Sequence, residues 1–141
     1  MLDVLAPESA IVARLVARLP SDVPVLTATD LDGVTEQGQW LPAVHVLFGG
    51  VEPRDTLPDA VLVTVTWSAV VCVRNDNSIT GEPARRAAGP LIAAAVLALH
   101  AFEPGPDWSP LEMSPGNAPL YDDGAAYFPL SFTTAGAICA D

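Results

Sequence analysis

Very few residues in this sequence have the type and spacing that chemistry at a site requires. The two histidines are His45, in a predicted strand, and His100, at the end of an apolar segment. Either could act as a general base, but a histidine in such a place more often lies in or beside the core and bonds a backbone carbonyl. The sequence has no nucleophile elbow, zinc-protease helix, phosphate-binding loop or dinucleotide-binding motif. We therefore expect no catalytic residue, no cofactor and no bound metal.

Two short acidic segments invite comparison with metal sites. Asp30-Leu31-Asp32-Gly33 resembles part of a calcium loop, but with Gly33 in the glycine position the first and last ligand positions fall on Ala28 and Gln39. Neither residue supplies the carboxylate that such a loop needs. Asp122-Asp123-Gly124 is typical of a turn before a strand. Its carboxylates could act as acid and base only in a pocket, and nothing in the sequence indicates one.

The cysteines and the N-terminus indicate a soluble, intracellular protein. Cys72 and Cys139 are far apart, form no CxxC motif and have no histidine at metal-ligand spacing, so we expect reduced thiols. The N-terminal residues include Asp3 and no basic region, which is unlike a signal peptide. The longest apolar run, Leu91 to Leu99, is too short to cross a bilayer.

The composition predicts one domain with a sizeable core and an acidic surface. The chain has 141 residues, half of them hydrophobic, and its formal charge is 6 − 17 = −11. This charge argues against an exterior that grips nucleic acid, because phosphate binding requires lysine and arginine. It suits a surface that DNA passes without sticking, and it suits a plain soluble acidic protein equally well.

The hydrophobic pattern predicts a mixed α/β (α+β) fold, in which two helices pack on one face of a sheet. A helix is predicted to begin at Pro7 and to end before Pro20. Val61 to Arg74 alternates over its whole length and predicts a strand with one buried face. Val51 to Asp59, which is acidic and holds two prolines, is predicted to be a loop. Further strands are predicted at Val23–Ala28, Leu41–Phe48 and Tyr127–Thr133, and a loop at Glu103–Asp123.

The second predicted helix is apolar on more than one side. It begins at Pro83 and either kinks at Pro90 or divides there. We expect its large stripe to meet the odd-numbered residues of the Val61–Arg74 strand. The smaller face is covered either by a neighbouring subunit, which its small residues would allow to approach closely, or by the first helix or the long loop. The predicted core residues are Val63, Val65, Trp67, Val71, Ile92, Val96 and Leu99; Phe102 completes the large stripe, and the smaller face is Ala93, Ala94, Leu97 and Ala101.

Two tryptophans and two arginines are candidates for a subunit contact. Trp40 and Trp108 lie in or beside loops, where each either folds back on the core or anchors a contact with another subunit. Arg85 and Arg86 either point into solvent or pair with an acidic neighbour across an interface. The predicted interface residues are Trp40, Arg85, Arg86, Ala93, Leu97 and Trp108.

Four segments, in a consistent order along most of the chain, carry a resemblance to a known family. They are Leu41 to Val46 (LPAVHV), Trp67 to Asn75 (WSAVVCVRN), Ala84 to Leu91 (ARRAAGPL) and Pro119 to Phe132 (PLYDDGAAYFPLSF). Each segment alone is a loose pattern, and their order is what makes the match. Together they resemble the tail-terminator (tail completion) proteins of Mu-like bacteriophages.

The resemblance implies a structural virion protein rather than an enzyme. It implies one domain over residues 1–141, with a mostly antiparallel sheet and helices packed on it. Six copies would form a ring that stops growth of the tail tube and offers a docking surface to the head connector. The implied partners are further copies of the chain, the tail-tube protein and the head-tail connector protein, and DNA would pass through the central hole. The implied location is the head-proximal end of the virion tail, after synthesis in the host cytoplasm.

Two other functions are compatible with the sequence. One is a head-completion or connector protein, which also forms a ring. The other is a monomeric small-molecule-binding domain or an unrecognised enzyme, either of which predicts a pocket with convergent polar groups.

The acidic balance gives one more expectation about the ring. A negative channel wall repels phosphates and lets DNA slide, so we expect some acids of the Glu52–Asp59 and Asp107–Glu112 loops, or Asp76, to line the hole. The alternative is that the acids are spread over the outside and keep the subunit soluble. The predicted channel-lining acids are Glu52, Asp55, Asp59, Asp76, Asp107 and Glu112.

Overall fold

A long central strand organises the computed structural model, which describes residues 2–29, 41–76, 80–122 and 124–140. That strand is β3, and it spans the stretch where the sequence alternates most regularly. The elements in chain order are α1 (Pro7–Arg18), β1 (Val25–Ala28), β2 (Ala43–Leu57), β3 (Ala60–Asn75), α2 (Glu82–Leu99), β4 (Glu112–Ser114), β5 (Leu120–Tyr121) and β6 (Gly124–Cys139).

The six strands form one sheet in the order β1-β2-β3-β6-β4, with β5 also paired to β6. Only the short β1–β2 pair is parallel, and the other pairs are antiparallel. The predicted mostly antiparallel α+β fold is therefore confirmed. The predicted loop from Glu103 to Asp123 contains two short strands, β4 and β5, which run along the outer edge of β6.

One face of the sheet packs against the helices. Val63, Val65 and Trp67 of β3 are buried on this face, and Phe132 of β6 lies opposite Trp67. The strand half of the predicted core is confirmed. The helix half needs correction, because α2 is buried mainly through small residues while Ile92 and Val96 are only half-buried at the margin. Small helix residues against large sheet residues keep the core densely filled. The buried residues of α2 are Ala84, Ala88, Ala95, Ala98 and Leu99.

The two helices are joined to each other at one end. In α1, Ile11 and Leu15 are buried, as the helical spacing predicts. The Arg14 Nε donates a hydrogen bond to the Ala98 carbonyl oxygen at 2.9 Å, and its guanidinium lies 5.1 Å from the centre of the Phe102 ring. A cation at the last carbonyls of a helix is stabilising, so Arg14 ties α1 to the end of α2.

The second helix is continuous rather than divided. It runs from Glu82 to Leu99 with Pro90 inside it on an exposed side, and the His100 N–H bonds the Val96 carbonyl. In the described part of the chain no helix is long and apolar enough to cross a membrane.

The predicted loop at Val51–Asp59 is wrong, because β2 continues through it to Leu57. Leu57 pairs with Ala60 across a two-residue turn, so β2 and β3 form a long hairpin. Acids and prolines are poor strand formers, but among the described residues β1 pairs only with the beginning of β2. Beyond β1, that side of β2 has no described partner strand, and proline is tolerated at such a position. The Gly49-Gly50 pair lies at a register shift where Gly50 has a φ of +115°.

The alternation in β3 predicted one buried face. The half of β3 that lies towards Asn75 is instead buried on both faces. Val70 and Cys72 of β3 and Tyr127 of β6 are buried on the face opposite the helices, together with Leu47 of β2. Both sets of residues in this half of β3 are apolar, so the alternation there separates two buried faces.

Candidate interaction surfaces

The two histidines lie apart and do not form a catalytic site. His45 is buried on the sheet face opposite the helices, where it lies across from Val70, whereas His100 is exposed after α2 on the helix side. Burial lowers the pKa of His45 from its ordinary value, so the ring is neutral at neutral pH. The Nδ1 atom has no hydrogen-bond partner within the described residues.

The cysteines are free thiols in very different surroundings. Cys72 is buried, and burial raises the pKa of its thiol to about 12, whereas Cys139 is exposed. Cys72 lies opposite Tyr127 and Cys139 lies opposite Ala60, which places them on the order of 40 Å apart along β3. Among the residues that the structure describes, no three histidine, cysteine or acidic side chains are arranged to hold a metal ion. The Asp30–Gly33 turn and Asp123 lie outside the described residues.

One cleft is lined by polar groups, several of which bond one another. It has a volume of about 450 Å³ and lies between the β2–β3 hairpin and the segment before β4. The Ala135 N–H donates to the Ser109 hydroxyl at 2.8 Å, and the Thr134 hydroxyl donates to the Ser109 carbonyl. These bonds fasten the segment before β4 to β6, so the groups serve the fold. The cleft is lined by Arg54, Thr64, Ser109, Glu112, Thr133, Thr134 and Ala135.

The distal part of the β2–β3 hairpin, residues 50–64, forms an arm with unusual exposure. Every residue from 51 to 59 is exposed, although the segment is paired to β3 throughout. Three large apolar side chains are among the exposed residues of the arm: Val51, Leu57 and Leu62. A strand with both faces open leaves apolar area in water, which marks it as a candidate contact surface.

The end of the arm carries an apolar patch on the face opposite the helices. Leu57 lies opposite Ala60, and Asp55 lies opposite Leu62. The register continues onto the end of β6, which adds two more residues to the same face. We call these residues the tip patch: Leu57, Ala60, Leu62, Ala137 and Cys139. Asp55 lies beside Leu57 on this face, and Asp59 lies in the turn.

The outer sides of the helices form the second apolar surface. Leu97 of α2 is 79% exposed and Val16 of α1 is 61% exposed. Solvent-facing sides of helices are ordinarily polar, but here small and apolar residues predominate. A shallow depression of about 220 Å³, lined by Arg18, Ala94, Leu97 and Ala98, lies between the two helices. We call the exposed set, together with the half-buried Ala94, the outer helical surface: Ser9, Ala13, Val16, Ala17, Arg18, Pro90, Ala93, Ala94 and Leu97.

The predicted interface residues fall into three groups. Arg85, Arg86, Ala93 and Leu97 are all exposed on α2, and Arg86 forms an ion pair with Glu82 one turn before it. Their role in a subunit contact stays a prediction.

Trp108, which is one of the predicted interface residues, is buried. Trp108 is only 5% exposed and packs on Gly136, where a Cβ atom would lie 2.7 Å from the indole ring. Trp108 therefore folds back on the core of its own chain, which is the first of the two predicted alternatives, and it presents no exposed ring to another copy. Trp40 lies outside the described residues.

The six predicted channel acids are all exposed but are not brought together. Glu52, Asp55 and Asp59 lie on the arm, which is a strand rather than a loop. Asp76 follows the opposite end of β3, on the order of 50 Å from Asp59. Asp107 and Glu112 lie between these ends, before and within β4. These acids are spread over one copy of the chain, and their role in lining a channel stays a prediction.

The fold and these surfaces define an α+β domain that presents two exposed apolar surfaces in the part of the chain that the structure describes. A family model for the phage tail terminator protein matches residues 1–139. The chain therefore belongs to the phage tail terminator family, and it is a structural component of a phage tail. Among curated proteins no match was found.

Proposed function

We propose that this chain forms a closed ring on the head-proximal end of the tail tube, where it stops tube growth and binds the head connector. The observation that carries the proposal is the pair of exposed apolar surfaces in a member of this family. Leu57 on the arm is 50% exposed and Leu97 on α2 is 79% exposed. Both would be covered in an assembly.

The two surfaces differ in shape and chemistry, and this favours a ring over a twofold dimer. A twofold contact uses the same patch on both subunits, whereas a contact between two different patches repeats from copy to copy and closes into a ring when the rotation permits. The tip patch lies on a projecting hairpin, and the outer helical surface lies on two helices. The number six and the narrower Mu-like assignment rest on the resemblance of four sequence segments.

The charge of the chain supports passage of DNA through the hole. Each copy has a formal charge of −11, so a ring of several copies is strongly acidic. An acidic wall repels phosphates, so DNA slides without being held. The proposed partners on the two faces of the ring are the tail-tube protein and the head-tail connector protein, and the ring needs no cofactor.

Disabling the gene in its phage tests the function directly. If the chain terminates the tube, particles from the disabled phage contain tubes of uncontrolled length without heads, as seen by negative-stain electron microscopy. A head-completion protein gives a different phenotype, with tails of normal length beside heads that lose their DNA. That second result would replace the tail terminator by the connector.

Supplying the chain in trans provides the control. Expression of the unchanged protein from a plasmid should restore tails of uniform length and infectious particles. Normal tails without complementation would contradict the proposed function.

A further inference from the structure

We propose that the tip patch of one copy packs into the depression between α1 and α2 of the next copy, with Leu57 beside Leu97 and the acids of the arm beside Arg18. The occupant of the outer helical surface is thus a second copy of this chain. The inference rests on the proposed ring and specifies which surfaces form its repeated contact.

The topology prevents a chain from covering its own patch. Leu57, Ala60 and Leu62 lie on the sheet face opposite the helices, because they share register positions with Ala137 and Cys139 rather than with the residues that meet α2. The arm is held by continuous pairing to β3, so it cannot fold around to the other side of its own sheet. A second molecule is required to bring the two surfaces together.

The charges of the two surfaces are complementary. The outer helical surface carries Arg18 and no acidic residue, which gives +1. The arm carries one arginine against Glu52, Asp55 and Asp59, which gives 1 − 3 = −2. Opposite potentials steer such surfaces together.

The local chemistry of the two patches matches as well. In the depression, the Arg18 side chain lies beside the apolar Ala94 and Leu97. On the arm, Asp55 and Asp59 lie beside the apolar Leu57. Each patch therefore has an apolar centre with a charge at its margin, and the two charges are opposite. An apolar centre with a polar rim is the usual arrangement of a stable interface.

The edge of the arm is a poor site for adding a further strand, which leaves its face as the contact. The pairing of β2 with β3 has register shifts at Phe48/Gly50 and at Pro53/Asp55, which make β2 irregular there. Bulges, proline and acidic side chains on an edge strand hinder pairing with another chain. If the arm acts through its face, Glu52, Asp55 and Asp59 belong to the subunit contact. The candidates for the channel wall are then Asp76, Asp107 and Glu112.

Crosslinking between engineered cysteines tests the contact. The variant Leu57→Cys, Leu97→Cys is made in a Cys139→Ser background, because Cys139 is the exposed native thiol and Cys72 is buried. Treatment of the assembled protein with a short bismaleimide should give a ladder of covalent multimers on a denaturing gel. Both changed leucines are exposed, so the fold should survive, and circular dichroism checks this.

In the matched control, one cysteine replaces a similarly exposed leucine that lies outside both surfaces. Leu120 on β5 is 41% exposed and lies outside both surfaces. The variant Leu120→Cys, Leu97→Cys, in the same background, should give no ladder. Mixing the single variants Leu57→Cys and Leu97→Cys should give covalent dimers and nothing larger, because each molecule then has only one reactive thiol.

A charge reversal gives an independent readout. Arg18→Glu should weaken assembly at least about tenfold, because it removes an opposite-charge contact and adds a like-charge one. Arg74→Glu, at the far end of β3, should leave assembly within about twofold. Light scattering over a concentration series measures both.

The outcomes separate this inference from the proposed function. A ring that yields no ladder, or one that Arg18→Glu leaves unchanged, overturns the arm-to-helix contact while the tail-terminator function stands. A protein that stays monomeric at every concentration overturns the contact and the ring together.

Discussion

Leu99 and Leu97 lie two residues apart on α2, and their replacement by alanine should have very different effects on the stability of the folded chain. Leu99 is 1% exposed within the core, whereas Leu97 is 79% exposed. Leu99→Ala removes buried methyl groups and leaves a cavity, which lowers the free energy of unfolding by about 2–5 kcal/mol. At about 3 °C per kcal/mol for a domain of this size, the melting temperature should fall by roughly 6–15 °C. Leu97→Ala should change the free energy of unfolding by no more than about 0.5 kcal/mol.

Urea denaturation followed by circular dichroism measures both variants. The protein concentration must lie below the range in which copies assemble, since association adds to the apparent stability. Equal losses of stability in the two variants would refute the placement of the apolar stripe. So would a loss of less than about 1 kcal/mol for Leu99→Ala, because a fully buried leucine cannot be truncated so cheaply.

Three further predictions concern single sites. Burial lowers the pKa of His45 below 6.5, so the unfolded chain binds the proton at a higher pH than the folded chain does. The stability contributed by the neutral ring is fully present above pH about 6.5 and is lost as the pH falls toward the lowered pKa of the folded state. His45→Leu should flatten that decline in urea titrations, and an unchanged slope would contradict it. At neutral pH a maleimide reagent should label Cys139 in the folded protein and Cys72 only after denaturation, as measured by mass spectrometry. Two labels on the native protein would contradict the burial of Cys72. Gly136→Ala should cost about 1–3 kcal/mol because its methyl would meet a buried indole, whereas Gly89→Ala, with open space in a helix, should be neutral or stabilise by up to about 1 kcal/mol; equal melting temperatures would oppose this.

Much of the fold follows from local patterns in the sequence. The alternation from Val61 to Arg74 specifies a strand, and the structure has β3 over Ala60–Asn75. The helical spacing after Pro7 specifies α1, which ends two residues before Pro20. These patterns are reliable because one face of each element must be buried, and burial repeats with the period of the backbone.

The arm could not be predicted from composition, since its residues are typical of loops. Proline and acids from Val51 to Asp59 have low strand propensity, but β3 supplies a complete row of backbone partners, and the outer edge is open to water. The signal that was available is Pro58-Asp59, a pair typical of a turn, directly before the alternating stretch of β3.

The surfaces were predicted only where one element determined them. Ala93 and Leu97 follow from the helical wheel of α2, because the sheet covers just one of its sides. The burial of Trp108 on Gly136 depends on how a proline-rich segment crosses β6, and no local pattern encodes that path. The tip patch also joins residues that are distant in sequence, from Leu57 to Cys139, so it appears only when the strand register is known.

The most direct test of the proposed function is cryo-electron microscopy of the head-proximal end of tails from the phage that encodes this chain. We predict a closed ring built from copies of this subunit on the last layer of the tube, with an open channel and each arm lying on the helices of its neighbour. Tube ends without such a ring, or a ring of this subunit found only on the head portal, would contradict it.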